Sequence, residues 1–437
     1  MKRAFSLALA ALLLAGCTAA PAASSDAAAS AEPAPSPAAA ESTEAAEAPA
    51  ATGEALRPLL CGDKAQYYMT ESVSEGRMRY VVADLANHTT GVPCDIEGCT
   101  HDNENCPATF TSGECGTAFV LDEDTLVAFT NDLTSTSCEG SITLMDRNCQ
   151  NRRVLTASPE TAFFVMKDDY PPYTDGQYLY CFGYHGDLSG TPALFRIDIA
   201  TGAMTDLMAD APLPTAMFVG TLEHSFVFTD SDLVYAESTG DPAADAKNLP
   251  TGTITHSLLD IDTGEVRELY TYTSDEWNLA SLDAYVVDGQ YYQIDRAAGT
   301  LRTLDPATGE SRQITDQLPA ADPNIATTDY DITANVNGWL VFSGLPVIVN
   351  TDTGEVRQRA QLPETPSGSS GQQPRIYLNL GDTLLVDCWW EPYTGTNMGP
   401  DGTPFTANSY HIYLGLISAD DYLNGVPNYT EVGECFM

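Results

Sequence analysis

Basic residues are scarce in this chain: 19 lysines and arginines stand against 61 aspartates and glutamates in 437 residues, a formal net charge of −42. A surface so acidic repels phosphate backbones and anionic lipid headgroups, which excludes nucleic acid as a partner. Long apolar runs are missing too. Beyond the first 16 residues no stretch reaches the roughly 18 apolar residues that read as a membrane-spanning helix. Several catalytic signatures are also absent. No Gly-x-Ser-x-Gly elbow offers a serine nucleophile, and no glycine-rich loop cradles a phosphate. The six histidines, His88, His101, His185, His224, His256 and His411, include no pair spaced for a zinc protease and read as loop or strand-surface residues. Acidic residues are so numerous that any two could meet as acid and base, so their presence singles out no site.

The chain begins with a basic pair, Lys2 and Arg3, an apolar run from Phe5 to Ala15, and the ending Leu14-Ala15-Gly16-Cys17. The run is too short to span a bilayer permanently, and small residues before a cysteine suit a signal peptidase. This ending resembles the lipobox of bacterial lipoproteins. The resemblance implies that residues 1–16 are a signal peptide and that Cys17 is lipidated, which makes the membrane a partner through the lipid and the location extracytoplasmic, at the cell surface. Acyl chains contribute about 0.8 kcal/mol per buried CH₂, so two or more hold a soluble domain firmly.

Residues 17–55 carry that cysteine and then Ala, Pro, Ser, Thr and Glu, with almost no large apolar side chain. Such a segment cannot bury enough surface to offset its ordering entropy and is expected to be a disordered linker. Its mean reach as a random coil is about 35 Å.

From Leu56 onward short alternating runs of Tyr, Val, Leu, Thr and Phe are punctuated by Asp-Gly and Thr-Gly pairs, the pattern of many short strands joined by tight turns. Two turn signatures alternate along the chain. The first is a polar turn leading into an aromatic or aliphatic strand. It occurs at Gly62-Asp63, Asp122-Glu123-Asp124, Asp175-Gly176, Asp230-Ser231-Asp232, Asp288-Gly289, Asn337-Gly338 and Gly381-Asp382. The second is a strand ending in Asp or Asn, a Thr-Gly turn, and another strand. Its clearest copies are Asp260 to Glu265, Asp305 to Glu310 and Asn350 to Glu355; Asp198 to Gly202 is close, and weaker versions lie at Asp84 to Gly91, Asp146 to Asn151 and Asp420 to Gly425. Each period therefore holds two hairpins. Four antiparallel strands in each of seven periods predict an all-β fold, a seven-bladed β-propeller over residues 56–437. A pair of β-sandwiches or a β-helix is the alternative.

These paired signatures resemble the TolB-type, WD40-like propeller repeats of bacterial surface proteins, and Asp-x-x-Thr-Gly also recurs in quinoprotein-like propellers. The resemblance covers residues 56–437. It implies an architecture more than an activity, because propellers host many functions. The quinoprotein type carries a docking tryptophan in each blade, whereas Trp277, Trp339, Trp389 and Trp390 fall without a period. No quinone or other organic cofactor is expected.

Besides Cys17 there are ten cysteines, an even number in an exported chain, so disulfides are expected. Cys61 and Cys435, near the two ends of the repeat, would staple the ring where it closes. The compact group is Cys94-x4-Cys99-x-His101-x4-Cys106, followed by Cys115. Disulfides pinning an irregular loop between the first two blades are the expectation here. The alternative is a structural zinc held by three cysteines and one histidine. Loops of this kind, ending in Cys-Pro, are also similar to those of propeller lipoproteins from anaerobic gut bacteria, where reduced thiols would favour zinc.

Taken together, these features lead to the expectation of a binding module for an extracellular protein, peptide or glycan. Alternatives are a propeller enzyme of the glycoside hydrolase or lyase type, with its site in the central pocket, and an envelope assembly scaffold. Aromatic residues on long loops are the candidate ligand-binding groups, since they offer contact area at low entropic cost. Trp389, Trp390, Tyr393 and Phe405 lie in or beside a loop expected from about Glu391 to Asn408. Tyr173, Tyr184 and His185, with Tyr170, form a second set. Trp389 and Trp390 would equally suit the end of a buried strand, one ring on each face.

Overall fold

A computed structural model describes residues 55–74, 76–111, 116–132, 139–157, 162–164, 171–185, 191–209, 217–236, 249–320, 327–362, 374–398 and 404–436. All belong to one compact unit, Ala48–Met437. The leader, Cys17 and most of the linker lie outside the described residues. No helix among those described is long and apolar enough to cross a membrane.

The described strands form seven antiparallel sheets, arranged as a seven-bladed β-propeller. Counted from the axis outward, the second blade is typical: Thr117–Val120, Thr125–Asp132, Glu139–Asp146 and Arg153–Ala157. The fourth to seventh blades repeat this plan from inner strands Met217–Leu222, Leu282–Val287, Ile332–Val336 and Ile376–Asn379. In the third blade the inner strand is broken into Ala162–Phe164 and Tyr173–Thr174. In the first, the inner position is a short bridge, Gly62 to Tyr67, beside Gln66–Ser74 and Arg77–Asp84. Its outer strand is broken into Thr89–Gly91 and Thr109–Thr111.

Sequence chemistry accounts for the turns. At Asp260 the carboxylate accepts hydrogen bonds from the Asp262 and Thr263 amides and the Thr263 hydroxyl at 2.8–3.0 Å, while Gly264 takes φ +71°. Similar Asp or Asn turns stand at Asp198, Asp305 and Asn350, always joining a blade's third strand to its fourth. The inner turns use the other signature: Asp288-Gly289 and Asn337-Gly338 both place two consecutive residues at positive φ, as a two-residue hairpin with the right twist requires. Two expected turns fall elsewhere. In the fourth blade the inner turn is Glu223-His224, with Glu223 at φ +52°, and Asp230-Ser231 is the far end of the strand Ser225–Ser231. The Asp420 to Gly425 segment is a short helix, Ala419–Asn424, capped by the Ser418 hydroxyl and ended by Gly425 in the left-handed region.

A four-stranded blade has two faces to bury, and each of the seven junctions has its own apolar cluster. Leu126, Phe110 and Met145 lie between blades one and two; Phe129, Leu179 and Phe195 between two and three; Tyr180, Phe226 and Leu259 between three and four. Val227 and Tyr291, then Ile294 and Phe342, then Val341 and Leu384 fill the next three junctions. The last junction, where the ring closes, packs Ala83 and Leu85 against Leu385, Leu414 and Val432. Among the described residues no strand of one of these two blades pairs with a strand of the other, so closure rests on side-chain packing.

Gly433 stands at that junction, where a Cβ would lie 2.4 Å from Thr90 Cγ2 on the first blade. Gly433→Val is therefore expected to wedge the junction apart and cost roughly 1–3 kcal/mol, as overpacking does. Urea denaturation would read it as a lower midpoint. Thr90→Gly in the same chain should restore the part of the loss due to the clash and leave the part due to the backbone, since Gly433 stands at φ +156°; no rescue at all would place the whole strain in the backbone.

The chain reaches the first blade by an indirect path. Leu56 N–H donates to the Glu223 carbonyl of blade four at 3.0 Å, Arg57–Pro58 pairs with Tyr173–Thr174 of blade three, and the Val120 amide of blade two donates to Leu60 at 2.8 Å. Leu56 and Leu59 are buried. The segment thus runs past the inner turns of three blades before forming the inner position of the first.

Candidate metal centre

The break in the outer strand of blade one has a local cause: residues 92–108 leave the sheet after Gly91 and return at Thr109, carrying the cysteine-rich group. Gly98 at φ +75° and His101 at φ +57° fold the loop back on itself. The Arg79 guanidinium holds the His101 carbonyl at 3.1 Å and pairs with Glu71. Thr109 Oγ1 closes the base of the loop by donating toward the Asn103 and Cys106 carbonyls at 2.7 and 3.0 Å.

The ligand atoms of Cys94, Cys99, His101 and Cys106 all lie within 4.8 Å of one another. Cys106 Sγ is 3.5 Å from His101 Nδ1. Tetrahedral zinc with Zn–S of about 2.3 Å and Zn–N of about 2.0 Å separates such a pair by about 3.5 Å. The sulfurs also meet amides two residues on. The His101 N–H lowers the Cys99 thiol below its ordinary range, with Cys106 and Cys94 assisting, and this is the effect that favours a thiolate ligand. Burial pushes Cys106 up to about 11, although the Ala108 N–H opposes the rise. Donor set and spacing fit a structural metal such as zinc. Three sulfurs and one nitrogen fill a tetrahedral shell and leave no open position, the arrangement of a structural rather than a catalytic centre.

The loop also grips the second blade. Asn148 Nδ2 donates to Asp95 at 3.0 Å, Gln150 Nε2 donates to the same carboxylate, and Arg152 donates to the Pro107 carbonyl. Cys106 and Cys149 are both buried in the cluster between these blades.

The expected disulfides are corrected by this arrangement. No disulfide joins two cysteines whose side chains are described; Cys94, Cys99, Cys106, Cys149, Cys181 and Cys388 are thiols. The physical reason is placement. Three of them converge on one point with a histidine, while Cys149 and Cys181 are buried in different inter-blade clusters and Cys388 stands in blade seven. Cys115 lies outside the described residues. The expected staple from Cys61 to Cys435 meets a different geometry: Cys61 packs against the cluster between blades two and three, and Cys435 stands on the outermost strand of blade seven, its side chain outside the description.

The candidate aromatic residues do not converge on one site. Glu391 to Asn408 is no open loop: Thr383–Met398 and Pro404–Ser418 pair from Thr383 with Ser418 to Met398 with Pro404, a hairpin about twice the length of the longest counterpart in another blade. Trp389 is 44% exposed near its base. Trp390, Tyr393 and Phe405 follow on the same hairpin, with side chains outside the described set. Tyr173 is buried on the inner strand of blade three, its ring edge-on to Phe218 and Phe226. Tyr184 is half-buried, and His185 lies beside it with Nε2 2.8 Å from Asp206 and its ring 5.4 Å from Phe195. Tyr170 lies outside the described residues. Sequence reasoning missed Cys149 as part of the loop's seat, although its place in an Asp146 to Asn151 turn facing the first blade is what buries it.

No family model matches the sequence, and no curated protein matches it. Solved structures similar in fold include TolB from Acinetobacter baumannii, 12% identical over 83% of this chain and 77% of that one, with a TM-score of 0.32. An oligogalacturonate lyase from Vibrio parahaemolyticus is 12% identical over 88% and 87%, with a TM-score of 0.39. The β-propeller domain of the Trilobed protease from Pyrococcus furiosus is 9% identical over 85% and 99%, with a TM-score of 0.41. Likenesses of this size carry nothing about ligand or reaction.

Proposed function

We propose that the chain is a lipid-anchored binding module of the cell surface, attached through Cys17 and presenting its propeller to an extracellular protein, peptide or glycan. The observation that carries this reading is where the chain joins the ring. Leu56 lies against the Glu223-His224 turn, so whatever precedes it leaves from the face that bears the inner two-residue turns. In an up-and-down blade the first-to-second and third-to-fourth turns share one face, and the remaining connections share the other. An anchor upstream of Leu56 therefore leaves the second face outward. The hairpin of blade seven rises from that outward face, extending roughly 25 Å past Trp390 at about 3.3 Å per residue. Its ladder keeps the candidate aromatics on a paired backbone, which lowers the entropic cost of contact.

Two measurements test the reading. In a host that processes lipoproteins, Cys17→Ser is expected to abolish incorporation of an alkynyl fatty acid and move the chain from the membrane to the soluble fraction. An unchanged lipid label would refute the anchor. On a glycan array and in a pull-down with the chain as bait, saturable binding is expected, weakened about tenfold or more by Trp389→Ala. Substrate turnover without saturable binding would refute the binding reading.

A further inference from the structure

Between blades four and five, at the outward end of the ring, the packing leaves a cavity of about 310 Å³. Val219, Ile254 and Ala284 form its apolar wall and His256, Tyr272 and Gln293 its polar one. The pairing of His256 with Thr229 and of Gln293 with Ala284 places these side chains on facing sides of the two sheets. His256 Nδ1 is hydrogen-bonded to the Tyr291 hydroxyl, which lies 3.3 Å from the Tyr272 hydroxyl. Gln293 differs from them. It is only 6% exposed, and its amide Nε2 has no hydrogen-bond partner among the described residues. A buried donor left unmade is a standing penalty that an acceptor placed in the cavity removes.

The wall is electrically quiet. Burial pulls the His256 pKa down to about 4, so its imidazole is neutral at pH 7. Asp283, the one carboxylate at the wall, makes an ion contact with Arg296 at 2.6 Å. An anion would be desolvated here without a counter-charge, and a cation would meet only the Asp283 carboxylate that Arg296 already neutralises. The volume lies at the lower end of small-ligand sites, room for a ring and not for a chain.

We propose that this inter-blade cavity binds an uncharged sugar ring, a hydroxyl oxygen of which accepts a hydrogen bond from the Gln293 amide while its C–H faces lie against Val219, Ile254 and the Tyr272 ring. The inference deepens the reading of the propeller as a binding module and rests on it.

Isothermal titration of the whole chain with glucose, galactose, mannose and N-acetylglucosamine, and with glucuronate and glucosamine as charged counterparts, tests it. At least one neutral sugar binds saturably, and the charged counterparts bind at least tenfold more weakly. Gln293→Leu, which keeps the shape and removes the donor, loses at least tenfold in affinity, and Gln293→Glu, an acceptor in place of the donor, loses as much. Gln290→Ala, exposed on the same strand, binds as the native chain does. Melting curves of both Gln293 variants show that the blade is intact. Absence of binding by every neutral sugar overturns the proposal, as does full affinity in an intact Gln293→Leu. In the second case a sugar binds elsewhere on the ring, so the cavity assignment falls while the binding-module reading stands.

Discussion

One equivalent of zinc per chain is the expected result when the protein is purified under reducing conditions without chelator and its metal content is measured. Cys106→Ser should remove it, because the sulfur lies 3.5 Å from His101 Nδ1 inside a set of four ligand atoms no more than 4.8 Å apart. Cys149→Ser should leave the stoichiometry unchanged, since that thiol shares the inter-blade cluster without belonging to the ligand set. Ligands must lose their protons to bind, so affinity falls as pH falls and zinc uptake releases protons to the buffer. Stripping the metal should destabilise the chain by about 4 kcal/mol where free zinc exceeds its dissociation constant a thousandfold. The loss is confined to the loop and the first two blades it clamps, because the other junctions have clusters of their own. Far-UV circular dichroism should therefore change little while the melting midpoint drops. Protein that leaves this reducing preparation without metal, its Cys94, Cys99 and Cys106 all open to a thiol probe, would overturn this expectation.

The ring was legible because its information is local and repeated. Asp260, Asp305 and Asn350 each fold their own turn through bonds spanning two or three residues, so the signature reads directly from sequence. The inner turn of blade four was not legible. Glu223 adopts φ +52° without glycine, held where its carbonyl receives the Leu56 amide, and that partner is more than 160 residues away in the chain. The last third-to-fourth connection escaped for a different reason: Ser418 and Gly425 are helix caps as well as turn residues, and only the packing of Tyr422 and Leu423 into the cluster between blades six and seven decides for a helix. Cysteine spacing marked the metal group as compact, but exported chains with even cysteine counts favour bridges, and only three dimensions separate Cys149 and Cys181 into different clusters. The cavity near Gln293 could not be foreseen, since its walls come from six strands of two blades.

Stability of the zinc-free protein between pH 4 and 6.5 is expected to be nearly level in the native chain and to tilt in opposite directions in two variants. His256 is buried against Tyr291, and burial lowers its pKa from 6.5 to about 4. Below pH 6.5 the unfolded chain takes up a proton that the folded chain refuses, so this group's contribution is present above that pH and is lost as pH falls toward 4, by roughly 3 kcal/mol. Asp283 acts with the other sign. Burial raises its pKa from 3.8 to about 6, with Asp331 assisting and Arg296 opposing. The folded chain then keeps a proton that the unfolded chain releases, so stability falls as pH rises from about 4 to 6, by roughly 2–3 kcal/mol. In Asp283→Asn the histidine slope outweighs that of Asp288, whose pKa burial also raises, and urea midpoints should fall on acidification from pH 6.5 to 4. In His256→Gln only the carboxyl slope remains, and the chain should gain stability over the same range. Below pH 4 all three should weaken together, because turn carboxylates such as Asp63 and Asp198, whose pKa values folding depresses, become protonated and lose their hydrogen bonds. A level profile in Asp283→Asn would mean that His256 does not resist its proton, and that the polar wall between blades four and five is open to water.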